Sequence, residues 1–278
     1  MIVVLGDLIA DVVALGVGEL ESGTDNTAQV ALTRGGSAAN VAAAVAADGV
    51  PARFIGRVGD DVLGRTLTEE LARTGVDVRV QRAGRTGAIV IVVDEQGERT
   101  MITDRGAAAE LEDVDPVWLD GARWLHVPLY GMSTPVSWRA IAAAVAALPD
   151  GVPVSVDLSS VTTLRALGPS RVAEALKALR PAAVFANADE ASWVEVEGLR
   201  VDGTFVVKRG ADPVLVHSKG RVEAVPVPPV AGIVDTTGAG DAFAAGYIAA
   251  AADSAGPPEA ARAGAERARS ALVRAGAL

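Results

Sequence analysis

The residues best suited to chemistry lie in one glycine-rich stretch, DTTGAGDAF, at residues 235–243. Gly238 and Gly240 allow the backbone to turn tightly and to approach a ligand closely. An apolar, alanine-rich segment follows, so the N–H groups of residues 238–241 would be unpaired donors at the start of a helix. Such donors favour anions, including the charge that develops on a transferring phosphoryl group. Asp241 would lie beside that anion site, where its carboxylate could accept the proton of an attacking hydroxyl.

The same stretch has a structural alternative. Aspartate is common near helix N-termini, and glycine is common in tight turns, so the four residues GAGD alone would not decide between structure and function. The longer string DTTGAGDAF is much more specific.

The segments that would position this stretch alternate between strand and helix. Apolar strand-like runs occur at residues 2–5 and 52–56, and later in WLHVPL, VPVSVDL, AAVFAN and TFVVKRG. Between and after them, helix-forming segments are predicted at about residues 38–47, 61–73, 135–147, 170–179, 239–252 and 258–275. Alternation of this kind is typical of a layered α/β domain with parallel strand pairing.

Two β-only segments, near residues 11–33 and 84–104, interrupt this alternation. The second reads as a hairpin that turns at Glu95-Gln96-Gly97, and another hairpin is predicted with Lys219-Gly220 at its turn. We expect the two β-only segments to meet as a small lid over a core made of residues 1–10, 34–83 and 105–278.

These strings resemble the two signatures of the ribokinase-like (PfkB) family of carbohydrate kinases. DTTGAGDAF and the helix after it resemble the C-terminal signature, while GGSAAN at residues 35–40 and FIGRVGDDVLG at residues 54–64 resemble the N-terminal one. Their order and spacing also match, and the similarity extends from GDLIAD at residues 6–11 to the last alanine-rich helix. The resemblance implies a three-layer, Rossmann-like α/β core with a mainly parallel central sheet and a small β-sheet lid.

The resemblance assigns the phosphoryl-transfer step to the glycine-rich stretch. Asp241 matches the family's general base, and Gly238, Ala239 and Gly240 match its anion hole. The implied activity is transfer of the γ-phosphoryl group of ATP to a hydroxyl of a sugar or sugar acid.

The resemblance also implies a nucleotide and metal site. Asn187 and Glu190 match a family motif near the phosphates and Mg²⁺, with Glu190 acting on the metal through water. Lys208 and Gly210 match the strand end that faces the nucleotide. Asp235 and nearby carbonyls resemble the family's monovalent-cation loop, so ATP, Mg²⁺ and, as a further candidate, K⁺ are the expected cofactors.

On the substrate side, Asp11 matches an acidic residue that holds sugar hydroxyls, and Gly36 and Asn40 match substrate-contacting positions. Arg105, in the string ERTMITDRGAAA, resembles an arginine that fructokinase and keto-deoxy-gluconate kinase branches place beside the substrate. A guanidinium could hold a carboxylate or several hydroxyls there. The alternative is a solvated arginine paired with a neighbouring carboxylate, Asp104 or Glu110.

The other carried-over residues have structural alternatives as well. Asp11 could be a turn residue at a strand end, and Asn40 a polar residue at a helix start. Asn187 and Glu190 could form a helix-capping pair. Their joint occurrence in the family's order favours the functional interpretation.

The chain departs from the family pattern at three places. Ser37 stands where ribose-specific members usually carry lysine, HVPLY at residues 126–130 lacks the glutamate of ribose-type members, and DLSS at residues 157–160 lacks the asparagine often found after that aspartate. The first two departures argue against ribose itself. None of them touches the phosphoryl-transfer residues.

Composition and charge exclude several kinds of partner and several kinds of chemical site. The 278-residue chain has a formal net charge of −10 and no Lys/Arg-rich run, which disfavours nucleic acid and anionic membrane surfaces as partners. With no cysteine, disulfides, thiolate nucleophiles and Cys-ligated zinc are excluded, and His126 and His217 lack metal-ligand spacing. The apolar N-terminus lacks a basic region and is interrupted by Asp7 and Asp11, so a soluble cytoplasmic protein is expected.

Several other functions remain as alternatives. A nucleoside or vitamin-precursor kinase would share the scaffold, but the β-only segments contain no Phe, Trp or Tyr to stack on a base, which favours a compact polar substrate. A non-catalytic relative should have lost Asp241 or the GAG string. Neither GxGxxG after the first strand nor GxxxxGK[ST] occurs, which disfavours a dinucleotide enzyme and a P-loop kinase. The exposed face of the lid could also pair with a second subunit as a homodimer.

Overall fold

A computed structural model describes residues 1–94, 96 and 98–273. The strands are β1 (Ile2–Gly6), β2 (Ile9–Val17), β3 (Gln29–Gly35), β4 (Ala52–Val58), β5 (Asp77–Arg82), β6 (Thr86–Asp94), β7 (Arg99–Gly106), β8 (Trp124–Pro128), β9 (Val154–Asp157), β10 (Ala183–Asn187), β11 (Thr204–Arg209), β12 (Asp212–Ser218) and β13 (Arg221–Val225). The α-helices are α1 (Ser37–Ala47), α2 (Val62–Arg73), α3 (Pro135–Ala146), α4 (Val161–Leu167), α5 (Pro169–Leu179), α6 (Ala188–Val196), α7 (Ala239–Ala252) and α8 (Pro257–Leu272).

Within the described residues, nine strands form the central sheet, in the order β13-β12-β11-β10-β9-β8-β1-β4-β5. All neighbours from β11 to β5 pair in parallel, and only the β12–β13 hairpin adds antiparallel pairs at one edge. The predicted α/β fold with a mainly parallel sheet is thus confirmed. Because parallel strands end at the same edge of a sheet, β1, β8, β9, β10 and β11 deliver their last residues to one side of the molecule.

The apolar core has two parts, one on each face of the central sheet, as a three-layer arrangement requires. One part gathers α1, α7 and α8 around Phe54 and Phe185, and the other gathers α3 and α5. Alanine and glycine let α7 and α8 approach closely. A Cβ added to Gly246 would lie 2.8 Å from the Ala263 carbonyl oxygen, and one on Gly264 would lie 2.8 Å from that of Phe243. The small side chains of these helices therefore serve packing.

The two β-only segments of the sequence pair with each other in a second sheet, in the order β3-β2-β6-β7. β2–β3 and β6–β7 are antiparallel pairs, and a parallel pairing of β2 with β6 joins them. The β6–β7 hairpin matches the sequence pattern, although turn residues 95 and 97 lie outside the described residues. The strands extend a few residues beyond the predicted segments, since β2 begins at Ile9 and β3 and β7 end at Gly35 and Gly106.

Three elements were absent from the sequence prediction, namely β5, α4 and α6. β5 (DVRVQR) alternates charged and apolar residues at the sheet edge, and α4 has only seven residues. α6 begins at the Asn187 and Glu190 string, for which a helix-capping pair was considered but no helix was predicted. The predicted helix at 258–275 is confirmed as far as Leu272, whereas residues 274 and 275 lie outside the described residues. Among the helices of the described chain, none has the length and apolar character needed to cross a membrane.

Candidate active site

A cavity of about 830 Å³ lies between the carboxyl edge of the central sheet and the inner face of the second sheet. Its walls come from the ends of β1, β9, β10 and β11, from the starts of α1 and α7, and from alternate residues of β2, β6 and β7. The predicted residues Asp11, Gly36, Arg105, Asn187, Glu190, Lys208, Gly210, Ala239, Gly240 and Asp241 all line it.

Asp241 lies in the first turn of α7 and faces the start of α1. Ser37 Oγ donates to Asp241 Oδ1 (2.7 Å), and Asn40 Nδ2 donates to Asp241 Oδ2 (3.0 Å). Burial raises the pKa of Asp241 to about 7, although these two hydrogen bonds act in the opposite direction. The carboxyl group is therefore poised to change protonation state near neutral pH, as a general base requires.

The start of α7 offers backbone donors beside that carboxylate. Gly238 precedes the helix with a φ of 74°, a left-handed conformation that suits glycine. Since α7 begins at Ala239, the N–H groups of Gly240 and Asp241 have no preceding helical carbonyl to donate to. The sequence predicted unpaired N–H groups at residues 238–241, with Gly238, Ala239 and Gly240 as the anion hole. The N–H group of Ala239 instead donates to the Thr236 carbonyl oxygen (3.3 Å).

Lys208 brings a positive charge to the same place. A Cβ added to Gly240 would lie 3.4 Å from Lys208 Nζ, so the ammonium group lies against the start of α7. Nζ also donates to Asp157 Oδ2 (2.9 Å). Burial disfavours this charge and is the largest single influence, but the carboxylates of Asp157, Glu190 and Asp241 together outweigh it, so the pKa of Lys208 is raised. Lys208 is thus a fixed cation between an anion and the helix start.

Asn187 and Glu190 form a reciprocal capping box at the start of α6. Asn187 N and Nδ2 donate to the two Glu190 carboxylate oxygens at 2.8 and 2.7 Å, and Glu190 N donates to Asn187 Oδ1 at 2.9 Å. The structural alternative considered for this pair is therefore present, and it coexists with a place in the cavity wall. Burial, followed by the neighbouring Asp157 charge, raises the pKa of Glu190 to about 7.

Two glycines make room for the acidic residues of the substrate side. A Cβ on Gly35 would lie 2.3 Å from Asp11 Oδ1, and one on Gly36 would lie 2.5 Å from the Asp7 carbonyl oxygen. Asp11 is buried, and its burial next to Asp7 raises its pKa to about 6. The GG pair therefore permits β2, β3 and α1 to meet tightly around two carboxylates.

Arg105 is held inside the cavity. Its Nη1 lies 3.2 Å from Asp7 Oδ2, and its guanidinium carbon lies 4.1 Å from the ring centroid of Tyr130. Asp104 instead forms an ion pair with Arg85, so the predicted alternative of an Asp104–Arg105 pair is wrong. Sequence reasoning missed Asp7 and Tyr130 as site residues. The position of Asp7 directly after the first strand was the available signal for the former.

Asp235 is joined to the second sheet. Arg99, the first residue of β7, lies with Nη2 2.6 Å from Asp235 Oδ1 and donates from Nη1 to Thr237 Oγ1 (2.6 Å). Thr237 N also donates to Asp235 Oδ1 (2.8 Å). The carboxylate predicted as a cation ligand is thus engaged by a guanidinium, and β7 is tied to the loop that precedes α7.

The other end of the cavity is apolar and lies beyond Lys208 and Gly210. Residues before α7 and along α8 line it, and sequence reasoning did not single them out: Val227, Pro228, Pro229, Val230, Ile233, Ala265, Ala268 and Leu272. The cavity thus joins a polar part next to the second sheet to an apolar part next to α8, with Asp241 between them. No group of His, Asp and Glu side chains suited to hold a metal occurs among the residues that the structure describes.

Comparison with known proteins finds sequence similarity to carbohydrate kinases. The family model described as "pfkB family carbohydrate kinase" matches residues 1–277. The chain is 35% identical over 269 residues to a fructokinase from Klebsiella pneumoniae, covering 88% of this chain and 82% of that protein. It is 38% identical over 226 residues to an ATP-dependent ribose-1-phosphate kinase from Halopiger xanaduensis, covering 77% and 72%.

Solved structures agree on the fold. An adenosine kinase from Sinorhizobium meliloti has a TM-score of 0.85 at 23% identity and covers 99% of this chain and 94% of its own. A ribokinase from Thermotoga maritima has a TM-score of 0.81 at 24% identity and covers 100% and 94%.

Proposed function

The chain belongs to the pfkB family of carbohydrate kinases, and we propose that it transfers the γ-phosphoryl group of ATP to a hydroxyl of a neutral sugar, with Asp241 as general base. The observation that carries this proposal is the position of Asp241. Asp241 lines the cavity from the first turn of α7, beside the unpaired N–H groups at the start of that helix.

In the proposed reaction, Asp241 accepts the proton of the substrate hydroxyl as that oxygen bonds to the γ-phosphorus. The bond from the γ-phosphorus to the bridging oxygen breaks, and ADP leaves with the electron pair. The N–H groups of Gly240 and Asp241, together with Lys208, stabilise the charge on the transferring group. Such positioning and charge stabilisation account for most of the catalysis in phosphoryl transfer.

The apolar part of the cavity suits the adenine and ribose of a nucleotide whose phosphates point to Lys208 and the helix start. Mg²⁺ would supply charge neutralisation of the phosphates. Glu190 is already bonded by Asn187, and Asp157 by Lys208. These residues fit a metal held mainly through phosphate oxygens and water, with Asn187 and Glu190 acting through that water, since Mg²⁺ gives up its waters reluctantly.

The charges of the polar part favour a neutral substrate. Arg105 is paired there with Asp7, which is 2% exposed, and Lys208 is paired with Asp157. Asp11 adds a further carboxylate, so a sugar acid or sugar phosphate would enter a region without surplus positive charge. Hydroxyls can instead donate to Asp11 and accept from Arg105. A sugar acid remains the finer alternative, with its carboxylate toward Arg105.

One observation favours a second candidate, a nucleoside kinase. The second sheet covers the polar part with Ile9, Ile89, Ile91 and Met101. An apolar ceiling of this kind could cover a base as well as the carbon-rich face of a sugar.

A coupled ADP-release assay over sugars, sugar acids, sugar phosphates and nucleosides tests the proposal. We expect the highest kcat/KM with a neutral sugar. Asp241→Asn should lower kcat by roughly 10²–10⁴-fold while ATP still binds, because general-base catalysis contributes about that much. An Asn variant that retained more than about a tenth of the wild-type kcat would remove Asp241 from this role.

We further propose that the second sheet works as a lid and that its outer face joins two copies of the chain. Closure would exclude water from the phosphoryl group. The Arg99 contact with Asp235 and Thr237 would then hold the lid against the loop before α7. We also propose that K⁺ bound at the loop around Asp235 stimulates phosphoryl transfer, so the rate should be higher in K⁺ than in a bulky organic cation.

A further inference from the structure

Arg34 lies where the second sheet passes into the core, one residue before the end of β3 and three before the start of α1. It is only 7% exposed. Arginine is seldom buried to this extent unless it has partners, and its burial lowers the pKa of the Arg34 guanidinium. A buried charge at this junction therefore calls for a structural or functional reason.

One contact of Arg34 leads directly to the proposed base. Arg34 Nη1 donates to Asn40 Oδ1 (3.0 Å), and Asn40 Nδ2 donates to Asp241 Oδ2 (3.0 Å). A guanidinium has only donors, so it can pair with the oxygen of an amide but not with its NH₂ group. The pairing consequently fixes the orientation of Asn40 and turns its NH₂ group toward Asp241.

This orientation matters because the two possible orientations of Asn40 favour opposite states of Asp241. With its NH₂ group facing Asp241, Asn40 stabilises the carboxylate, which is the form that can accept a proton. With its carbonyl oxygen facing Asp241, Asn40 would accept a hydrogen bond from the protonated acid and stabilise the form that cannot. Ser37 cannot enforce the choice, since its hydroxyl can either donate or accept.

We propose that Arg34 is a positioning residue for the phosphoryl-transfer reaction, acting through Asn40 to keep Asp241 in its ionised form. The inference rests on the proposed role of Asp241 as general base. Arg34 touches neither substrate nor nucleotide in this role. It sets the state of the base from the strand of the second sheet that leads into α1.

The test is the pH dependence of kcat/KM for the best sugar found. In the wild type the rate should fall on the acid side as Asp241 becomes protonated. Arg34→Leu should move this acid limb to higher pH by about one unit. At low pH this shift lowers kcat/KM about tenfold, and at pH 9 most of the wild-type kcat/KM should be recovered. Arg34→Lys, which retains a charged donor, should return the limb toward its wild-type position.

Arg57→Leu is the matched control. Arg57 is also a buried arginine, 8% exposed, but it lies on β4 and its Nη1 donates to the Glu110 carbonyl oxygen. We expect this variant to lose thermal stability without moving the acid limb. If Arg34 has a purely structural role, Arg34→Leu should behave like Arg57→Leu: its acid limb should stay in place, and any loss of kcat/KM should be the same at all pH values. That outcome would overturn the proposal.

Two further variants keep the outcome decisive. If Arg34→Leu does not fold, Arg34→Gln and Arg34→Lys are compared, and equal acid limbs in wild type and both variants would equally overturn the proposal. Asp241→Asn separates this inference from the proposed function. If Asp241→Asn keeps both the wild-type rate and the acid limb of kcat/KM, Asp241 is not the general base. If Asp241→Asn is inactive but the acid limb of Arg34→Leu is unmoved, only the role of Arg34 is rejected.

Discussion

At the scale of single residues, Asp241 lies in surroundings that disfavour its own charge. Burial raises its pKa from 3.8 to about 7, so the folded chain binds a proton there that the unfolded chain has released. Stability from this group is fully present below pH 3.8 and is lost as the pH rises through about 7. The carboxylate that suits catalysis at neutral pH therefore costs stability under the same conditions.

Asp241→Asn should accordingly stabilise the free protein at high pH. The neutral amide carries no desolvation penalty, so we expect a Tm at least about 2 °C above that of wild type at pH 8 and little difference at pH 4. Differential scanning calorimetry without nucleotide or metal measures both values. A lower Tm for the Asn variant at pH 8 would contradict the raised pKa.

Arg105 gives a second prediction at this scale. Arg105→Ala should raise KM for the sugar at least tenfold and leave the affinity for ATP unchanged, since a charged hydrogen bond contributes roughly 1.5–3 kcal/mol. Arg85→Ala is the matched control because Arg85 lies at the same junction, pairs with Asp104 and is well exposed. Steady-state kinetics of both variants provides the comparison. An unchanged KM in Arg105→Ala would place the substrate away from Arg105.

The residues that sequence reasoning found and missed differ in one physical respect. Asp241, Asn40 and Glu190 belong to contiguous strings that can be recognised as motifs, even though Asn40 and Asp241 meet across 201 positions of the chain. Asp7 and Tyr130 join the site through contacts with Arg105 that cross about 100 and 25 positions of the chain. No local pattern reports such contacts, because they depend on how β1, β7 and β8 are arranged in space.

At the scale of elements, the junction between β3 and α1 is the most constrained turn of the site. Gly36 has a φ of 101°, and a Cβ there would lie 2.5 Å from the Asp7 carbonyl oxygen. Gly49, after α1, has a φ of 76° with nothing within 4 Å of an added Cβ. Both positions require a left-handed backbone, but only Gly36 also lacks space.

Gly36→Ala should therefore destabilise the protein more than Gly49→Ala. We expect about 1 kcal/mol for Gly49→Ala from backbone strain alone, and about 3 kcal/mol or more for Gly36→Ala, where β1 or α1 must also shift. Only the Gly36 variant should lose activity, since the shift would move Ser37 and Asn40 from Asp241. Urea titration and kcat measure these effects, and equal destabilisation would argue against the close approach.

Most elements could be predicted from periodicity, because long alanine-rich helices and apolar strands have strong local patterns. The helices α1, α2, α3, α5 and α7 begin and end within two residues of the predicted positions. The short helix α4 and the polar edge strand β5 could not be predicted from the sequence, since tertiary packing rather than a local pattern determines them. The sequence predicted that the two β-only segments would meet, but not which strands would pair. The structure shows that β2 pairs with β6 and gives the register of that pairing.

At the scale of the whole molecule, the second sheet has two very different faces. Alternate residues point to opposite sides of a strand, and the set that includes Asp11, Ile89 and Met101 lines the cavity. The opposite set forms two rows across the strands, Leu32–Val12–Val90–Ile102 and Val30–Ala14–Val92–Thr100. Seven of these eight residues are apolar, so the outer face is a hydrophobic surface that no other part of the described chain covers.

This surface fits a second copy of the chain. Val30, Leu32 and Ile102 are 65%, 58% and 65% exposed, and exposed apolar patches of this kind mark interaction sites. A flat, apolar sheet face can pack on its own copy about a two-fold axis, because the same rows then meet each other. The same contact would fix the base of the lid and leave its inner face free to close on the substrate.

We therefore expect the wild type to sediment as a dimer at micromolar concentration. The double variant Leu32→Glu/Ile102→Glu should sediment as a monomer, because pairing of the rows would bury its like charges together. Val62→Glu is the matched control, since Val62 is 70% exposed on α2 and lies away from this face. Sedimentation velocity measures all three proteins. A wild type that remains monomeric at tens of micromolar, or a dimer unaffected by the double variant, would show that the outer face does not join two copies of this chain.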